Sequence, residues 1–164
     1  MSEIVLSNQI QKIIAHAIEK YPQGQQRSAL KTALMAVQNE HGYLTEPLMD
    51  AVAKLLNISP VSVYEVASFY TLYDHTPVGK YKISLCTNVS CWLRGSDELM
   101  QCIEKKLGIT PGQTTQDGRF TLKEVECLAA CGQAPALQIN GVYAGPVCVQ
   151  ALEKWLDNPS GELL

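Results

Sequence analysis

The chain has 164 residues, a formal net charge of −3 and 18% charged residues. This length allows one large domain or two small ones, with a core that needs no disulfides. The negative charge and the lack of a long Lys/Arg cluster argue against nucleic acid as a partner, and no apolar run reaches the roughly 20 residues that span a bilayer. The start has no signal-peptide pattern, so we expect a cytoplasmic protein without direct membrane insertion.

The first part of the chain predicts a small helical bundle. Apolar residues recur at helical spacing in four stretches that are separated by short links. The predicted helices cover residues 8–21, 30–41, 46–57 and 60–70. Ser7, Thr45 and Ser59 are the expected N-caps, and Gly42 is expected to end the second helix in a left-handed conformation.

The end of this bundle, residues 66–73, carries more aromatic and aliphatic surface than one buried face can use. Packing within the chain is the favoured interpretation, and contact with a partner is the alternative. Residues 76–79 contain Pro and Gly and interrupt the helical period. We therefore predict a helical domain over 1–76 and a second domain over 77–164.

In the second domain the apolar period changes to two. Residues 81–86 predict a strand that ends at a cysteine, and a helix capped by Ser96 should follow it and end at Gly108. A second predicted strand covers residues 120–127. Its alternation fails at 123–124, which suggests a bulge.

The last part of the chain predicts a hairpin and a final helix. Asn140-Gly141 is a strong signal for a type I′ turn, and the helix is expected to begin at Pro146. The order strand, helix, strand, strand, strand, helix is typical of a thioredoxin-like layer. The fold class predicted for the chain is therefore α/β, with a helical bundle in front.

Four cysteines form two pairs, Cys86-x4-Cys91 and Cys127-x3-Cys131. Each pair lies at or just after the end of a predicted strand, so the fold can bring four thiolates to one place. In a reducing compartment such pairs are more typical of metal ligands or redox groups than of disulfides. Soft thiolates bind either zinc or an iron-sulfur cluster.

The spacing favours the iron-sulfur cluster. Zinc knuckles usually have two residues between paired cysteines, and small residues such as Gly95 and Ala129 allow backbone N–H groups to approach cluster sulfurs. Arg94 is a candidate to offset the cluster's negative charge. A zinc-stapled interaction module without a redox role, or a thiol oxidoreductase, remains an alternative from the spacing alone.

The other candidate ligands are less suitable. Cys102 lies on the apolar stripe of its predicted helix, and Cys148 adjoins the stripe of the last helix. Both are predicted to be small buried hydrophobic residues. His16, His41 and His75 are far in sequence from the cysteine pairs. We expect His41 to pack on the inner stripe of the second helix.

No nucleotide-binding or catalytic motif is present in the sequence. We therefore expect no catalytic residues and no nucleotide site on this chain. An electron carrier of this kind needs partners that hold the flavin or the next cluster.

Four segments of the chain match a known family in order and spacing: Val63–Tyr70, Cys86–Cys91, Pro111–Leu122 and Val125–Cys131. Together they closely resemble the thioredoxin-like [2Fe-2S] subunit of the NADH dehydrogenase module of respiratory complex I. The resemblance covers nearly the whole chain.

The resemblance implies a thioredoxin-like [2Fe-2S] ferredoxin domain whose cluster is ligated by Cys86, Cys91, Cys127 and Cys131. It also implies a subunit of NADH:quinone oxidoreductase without a complete active site, in which the helical domain docks a flavoprotein that binds NADH and FMN. The cluster would exchange electrons with that FMN. A larger iron-sulfur subunit is the expected second partner, and the complex would hold the chain peripherally on the cytoplasmic face of the inner membrane.

The motifs leave the parent complex open, because equivalent subunits serve NAD-linked hydrogenases and formate dehydrogenases. Two positions depart from the family pattern. Many members have glycine where Ala129 stands, and many are acidic where this chain has residues 143–147. The second departure affects what can be inferred about the partner surface.

Overall fold

The computed structural model describes residues 4–159 and divides the chain into two compact units, Met1–Pro77 and Val78–Leu164. Each unit has a hydrophobic core of its own. Within residues 4–159 no helix combines the length and the apolar character that crossing a bilayer requires.

The first unit contains the four predicted helices. They are α1 (Asn8–Ile18), α2 (Leu30–His41), α3 (Glu46–Leu56) and α4 (Pro60–Phe69), with a 3-10 turn at Gln26–Ala29. Ser7 caps α1, because its hydroxyl accepts a hydrogen bond from the Ile10 amide. Gly42 ends α2 with a φ of +85°, as predicted. Thr45 and Ser59 occupy the N-cap positions of α3 and α4 but make no capping hydrogen bond with their side chains.

The segment after α4 folds back onto α2. The buried amide of Gln38 donates to the Leu72 carbonyl at 3.1 Å and accepts from the Asp74 N–H at 2.7 Å. Tyr73 is buried, and its hydroxyl donates to the Lys31 carbonyl at 3.1 Å. Part of the aromatic surplus therefore closes the bundle, as the favoured interpretation expected.

The prediction for His41 was wrong. The buried face of α2 continues through Gln38, whereas residues 39–41 of the last turn are all exposed. The His41 imidazole lies 3.8 Å from the Glu40 carboxylate at the surface. The apolar spacing in the sequence continues to the end of α2, but the last turn of this helix lies beyond the core of the first unit.

The second unit contains a four-stranded β-sheet and helices that share a hydrophobic core with it. The strands are β1 (Tyr81–Cys86), β2 (Phe120–Val125), β3 (Leu137–Ile139) and β4 (Val142–Ala144), in the order β2-β1-β3-β4. The helices are α5 (Val89–Trp92), α6 (Ser96–Leu107) and α7 (Val149–Asp157). β1 pairs with β2 in parallel and with β3 antiparallel, and β3 pairs antiparallel with β4.

The core of this unit lies on the faces of the two central strands. Its fully buried members include Ile83 and Leu85 of β1, Leu99 and Ile103 of α6, and Leu137 of β3. The hairpin between β3 and β4 has positive φ at both turn residues, which a type I′ turn requires.

Three local predictions in this unit were wrong. The expected bulge at 123–124 is absent, since both residues pair regularly with β1. Because β2 is an edge strand, the side chains of Lys123 and Glu124 still reach solvent. Gly95, with φ +92°, is the N-cap of α6, and Ser96 is its first helical residue. Helix α7 begins at Val149 with Cys148 as its N-cap, three residues later than expected.

Candidate metal centre

β1 delivers Cys86 directly to the end of the sheet. Cys86 pairs with Val125, the last residue of β2, and its amide donates to the Ala136 carbonyl at 3.1 Å. The two strands run in the same direction, so the loop after Cys86 and the loop that begins near Cys127 leave the sheet on one side. Both cysteine pairs therefore belong to one end of the second unit.

The first cysteine loop contains a short helix that the sequence did not predict. The Asn88 side chain accepts from the Val89 amide at 2.9 Å and starts α5, and the Arg94 amide donates to the Cys91 carbonyl at 3.1 Å. This arrangement buries Cys91 to 2% exposure, close to the 3% of Cys86. A helix of four residues is too short to show a hydrophobic period, although Asn88 is a good N-cap residue.

The Cys91 thiol interacts with two of the other predicted ligands, Cys86 and Cys131. Burial raises the pKa of the Cys91 thiol, and a hydrogen bond with Cys86 and the nearby charges of Cys86 and Cys131 raise this pKa further. A hydrogen bond from the Ala136 backbone acts in the opposite direction. Backbone N–H groups that point at sulfur are the environment that thiolate ligands of iron require.

The second cysteine loop is more open. Cys127 and Cys131 are both exposed, and a 3-10 turn spans Cys131–Gln133. The Ala129 amide donates to the Cys127 sulfur at 3.3 Å. This is a second backbone N–H that points at one of the four predicted ligands.

Within residues 4–159, no group of three or more Cys, His, Asp or Glu side chains is arranged to hold a single metal ion. The Cys91 thiol interacts with Cys86 and with Cys131, whereas the Cys127 sulfur accepts a hydrogen bond from the Ala129 amide. A [2Fe-2S] cluster and a tetrahedral zinc can each take four cysteine sulfurs, but the cluster divides its four sulfurs between two irons and therefore spreads them further apart. The soft donors and the two N–H···S contacts fit such a cluster.

The remaining cysteines lie on other elements. Cys102 is half-buried on α6 and packs against the core of the second unit, where burial and the Glu153 carboxylate raise the pKa of its thiol. Cys148 is exposed, so its predicted burial was wrong. The late start of α7 leaves Cys148 at the N-cap rather than on the buried stripe.

Ala129 has a φ of +55°, in the left-handed region that favours glycine. We expect Ala129→Gly to raise the free energy of unfolding by about 0.5–1 kcal/mol, because the relief of this strain outweighs the entropy that glycine adds to the unfolded chain. Urea denaturation of the apoprotein measures the change.

The matched control is Ala130→Gly. Ala130 has a φ of −113°, so glycine there relieves no strain and should lower the free energy of unfolding by about 0.5–1 kcal/mol. Equal losses for both variants would contradict the strain at Ala129.

The chain is similar to proteins of known type over most of its length. The family of thioredoxin-like [2Fe-2S] ferredoxins matches residues 14–159. A subunit of the NADH-quinone oxidoreductase of Rhizobium meliloti (strain 1021) is 45% identical over 145 residues, which cover 88% of this chain and 85% of the relative. The corresponding NADH-quinone oxidoreductase subunit of Rickettsia felis (strain ATCC VR-1525 / URRWXCal2) is 43% identical over 146 residues, which cover 88% and 87%.

A solved structure supports the fold. A chain of the NAD+-reducing [NiFe]-hydrogenase in the H2-reduced state is similar with a TM-score of 0.65 and 24% sequence identity. The match covers 78% of this chain and 22% of the hydrogenase chain. The predicted α/β class with a thioredoxin-like domain is confirmed by this fold and by the matching family.

Proposed function

The chain belongs to the thioredoxin-like [2Fe-2S] ferredoxin family, and from that premise we propose that it is an electron-transfer subunit of an NADH-quinone oxidoreductase. In this proposal the chain carries one [2Fe-2S] cluster and exchanges electrons with the FMN of a partner flavoprotein that binds NADH. The observation that carries the proposal is the pair of cysteine loops that leave β1 and β2 on one side of the sheet.

The proposed ligands are Cys86, Cys91, Cys127 and Cys131. A bound [2Fe-2S] cluster supplies a site that accepts and returns one electron. The buried sulfurs of Cys86 and Cys91 keep water from the inner side of this site, and the Ala136 backbone favours the thiolate form of Cys91. Of these two features, only the Ala136 hydrogen bond stabilises negative charge on the Cys91 sulfur, which is the charge that a thiolate ligand must carry, whereas burial acts against that charge.

The outer side of the site is open. Cys127 and Cys131 are exposed, so a partner that covers the second cysteine loop would come within a side chain's length of the sulfurs. Electron exchange with a flavin on another chain requires such an approach. The asymmetry between two buried and two exposed sulfurs therefore supports a carrier that works against a partner surface.

We also propose that the helical domain, residues 1–76, docks the flavoprotein. Phe69, at the end of α4, is 77% exposed, although it packs edge-to-face on Tyr70 with ring centroids 5.0 Å apart. The Lys31 ammonium lies 4.4 Å from the centroid of the Tyr70 ring and holds that ring against the bundle. An aromatic ring presented in this way is the kind of anchor that dominates binding energy in interfaces.

We expect Phe69→Ala to weaken binding of the flavoprotein roughly 5- to 30-fold, the loss typical of an aromatic anchor. Titration calorimetry with the purified flavoprotein measures the change. Val61→Ala is the control, because Val61 lies on the same helix, is 62% exposed and has a much smaller side chain. Wild-type affinity in the Phe69 variant would remove this surface from the proposed interface.

The assembly follows from the same proposal. A larger iron-sulfur subunit of the same module would be the second partner, and the chain would be peripheral on the cytoplasmic face of the inner membrane through its complex. The family resemblance supports both statements.

Anaerobic reduction by NADH tests the exchange with FMN. We expect NADH to produce the EPR signal of the reduced cluster only when the flavoprotein is present, since this chain has no recognisable nucleotide motif. Dithionite is the control for a reducible cluster. Reduction by dithionite but never by NADH with the flavoprotein would contradict the proposed function.

A further inference from the structure

The second cysteine loop, residues 127–133, is tied at two points to the outer strand of the hairpin and the residue after it. Near the start of the loop, the Tyr143 hydroxyl donates to the Leu128 carbonyl at 2.9 Å. At its end, Gly145 lies directly against Gln133. A Cβ on Gly145 would clash with the Gln133 carbonyl oxygen and would lie 3.2 Å from the Gln133 Cβ.

Each of these two contacts lies within two residues of a proposed ligand of the second loop. Leu128 follows Cys127 in the chain, and Gln133 comes two residues after Cys131. Both cysteines are exposed, so burial of their own side chains does little to hold them in place. The backbone of the loop needs external support if the two sulfurs are to keep a defined position.

The hairpin can provide that support because it is part of the sheet. Tyr143 pairs with Gln138 of β3, and Gln138 in turn pairs with Ser84 of β1. A continuous ladder of hydrogen bonds thus runs from the strand that carries Cys86 to the residue that holds Leu128. The position of the second loop is in this way set relative to the first pair of cysteines.

The two contacts have different physical origins, a hydrogen bond at Tyr143 and a close backbone approach at Gly145. The Tyr143 side chain is half exposed, so its ring is not required to fill the core, and its hydroxyl makes the specific bond. At Gly145 an added Cβ would overlap the Gln133 carbonyl oxygen, and this oxygen belongs to the backbone, so it cannot rotate away as a side chain can.

We propose that Tyr143 and Gly145 are positioning residues that hold the second cysteine loop in the shape that binds the cluster; this inference rests on the proposed function. They would act through the backbone of residues 127–133, which they contact at Leu128 and Gln133. Side chains that orient metal ligands commonly change metal affinity about 10- to 100-fold when they are replaced.

The test uses the full chain, loaded with iron and sulfide, in three variants. Gly145→Ala should force the Gln133 carbonyl to move and should raise the rate of cluster loss to a chelator about 10-fold. Tyr143→Phe keeps the ring but removes the hydrogen bond to Leu128, and we expect it to raise the rate severalfold. Both variants should also shift the g-values of the reduced cluster, because these depend on ligand geometry.

Gly132→Ala is the matched control for Gly145→Ala. Gly132 lies in the same loop with an ordinary φ, and a Cβ there would meet nothing within 4 Å. We expect its loss rate and EPR spectrum to match the wild type. If Gly145→Ala does not fold by circular dichroism, Tyr143→Phe decides the question, since loss of one surface hydroxyl leaves the fold intact.

The outcomes separate the two proposals. A wild-type chain that binds a [2Fe-2S] cluster, with wild-type loss rates and g-values in both Tyr143→Phe and Gly145→Ala, would overturn this inference and leave the proposed function standing. A wild-type chain that binds no cluster would overturn both. A defect in Gly132→Ala as large as that in Gly145→Ala would also overturn the inference, because loop substitution alone would explain it.

Discussion

Replacing Cys86 or Cys91 with serine is expected to abolish the [2Fe-2S] chromophore and the associated EPR signal. Both sulfurs are buried, so no other ligand can easily take their place, and a serine oxygen is a much harder donor than a thiolate. Cys127→Ser and Cys131→Ser should also destroy or alter the cluster. Iron content and the visible spectrum of each purified variant measure the effect.

Cys102→Ala and Cys148→Ser are the controls for these four variants. Cys102 is part of α6 and Cys148 occupies the N-cap position of α7, so neither lies in the two cysteine loops of the proposed ligand set. Both variants should keep the wild-type spectrum. Full iron content with an unchanged spectrum in any of the four ligand variants would remove that residue from the set.

Leu85→Ala is expected to lower the free energy of unfolding of the second unit by about 2–5 kcal/mol. Leu85 is fully buried in β1, immediately before Cys86, and its loss leaves a cavity between the sheet and its helices. Urea denaturation of the apoprotein measures the cost and separates it from any effect of the cluster.

Leu93→Ala is the matched control, because it removes the same atoms from a leucine that is 71% exposed. Its effect should stay within about 0.5 kcal/mol. A cost below about 1 kcal/mol for Leu85→Ala would contradict the burial of Leu85 in the core of the second unit.

Most helices and strands could be predicted from the sequence because their signals are local. Helix α2 has a regular apolar stripe and a glycine at its end. The sequence of β1 alternates between apolar and polar residues over positions 81–86. The errors occur at the ends of helices, where the apolar spacing in the sequence extends beyond the residues that pack against the core. His41 follows the period of α2 but lies beyond the core, and Cys148 lies before the first turn of α7.

The candidate site was partly accessible from the sequence. The spacing of the cysteines and their place after two strands predicted which loops come together, but not which sulfurs are buried. Burial of Cys91 depends on the short helix α5, which leaves no periodic signal. The bond from Tyr143 to Leu128 joins residues 15 positions apart, and only the pairing of the strands brings them into contact.

The most direct test of the account is the metal content of the purified full chain, determined together with its EPR spectrum after reduction by dithionite. We expect about two irons and two acid-labile sulfides per chain, no stoichiometric zinc, and a rhombic [2Fe-2S] signal. One zinc per chain, without iron and without a signal in the reduced sample, would contradict the account and identify a zinc-stapled module instead.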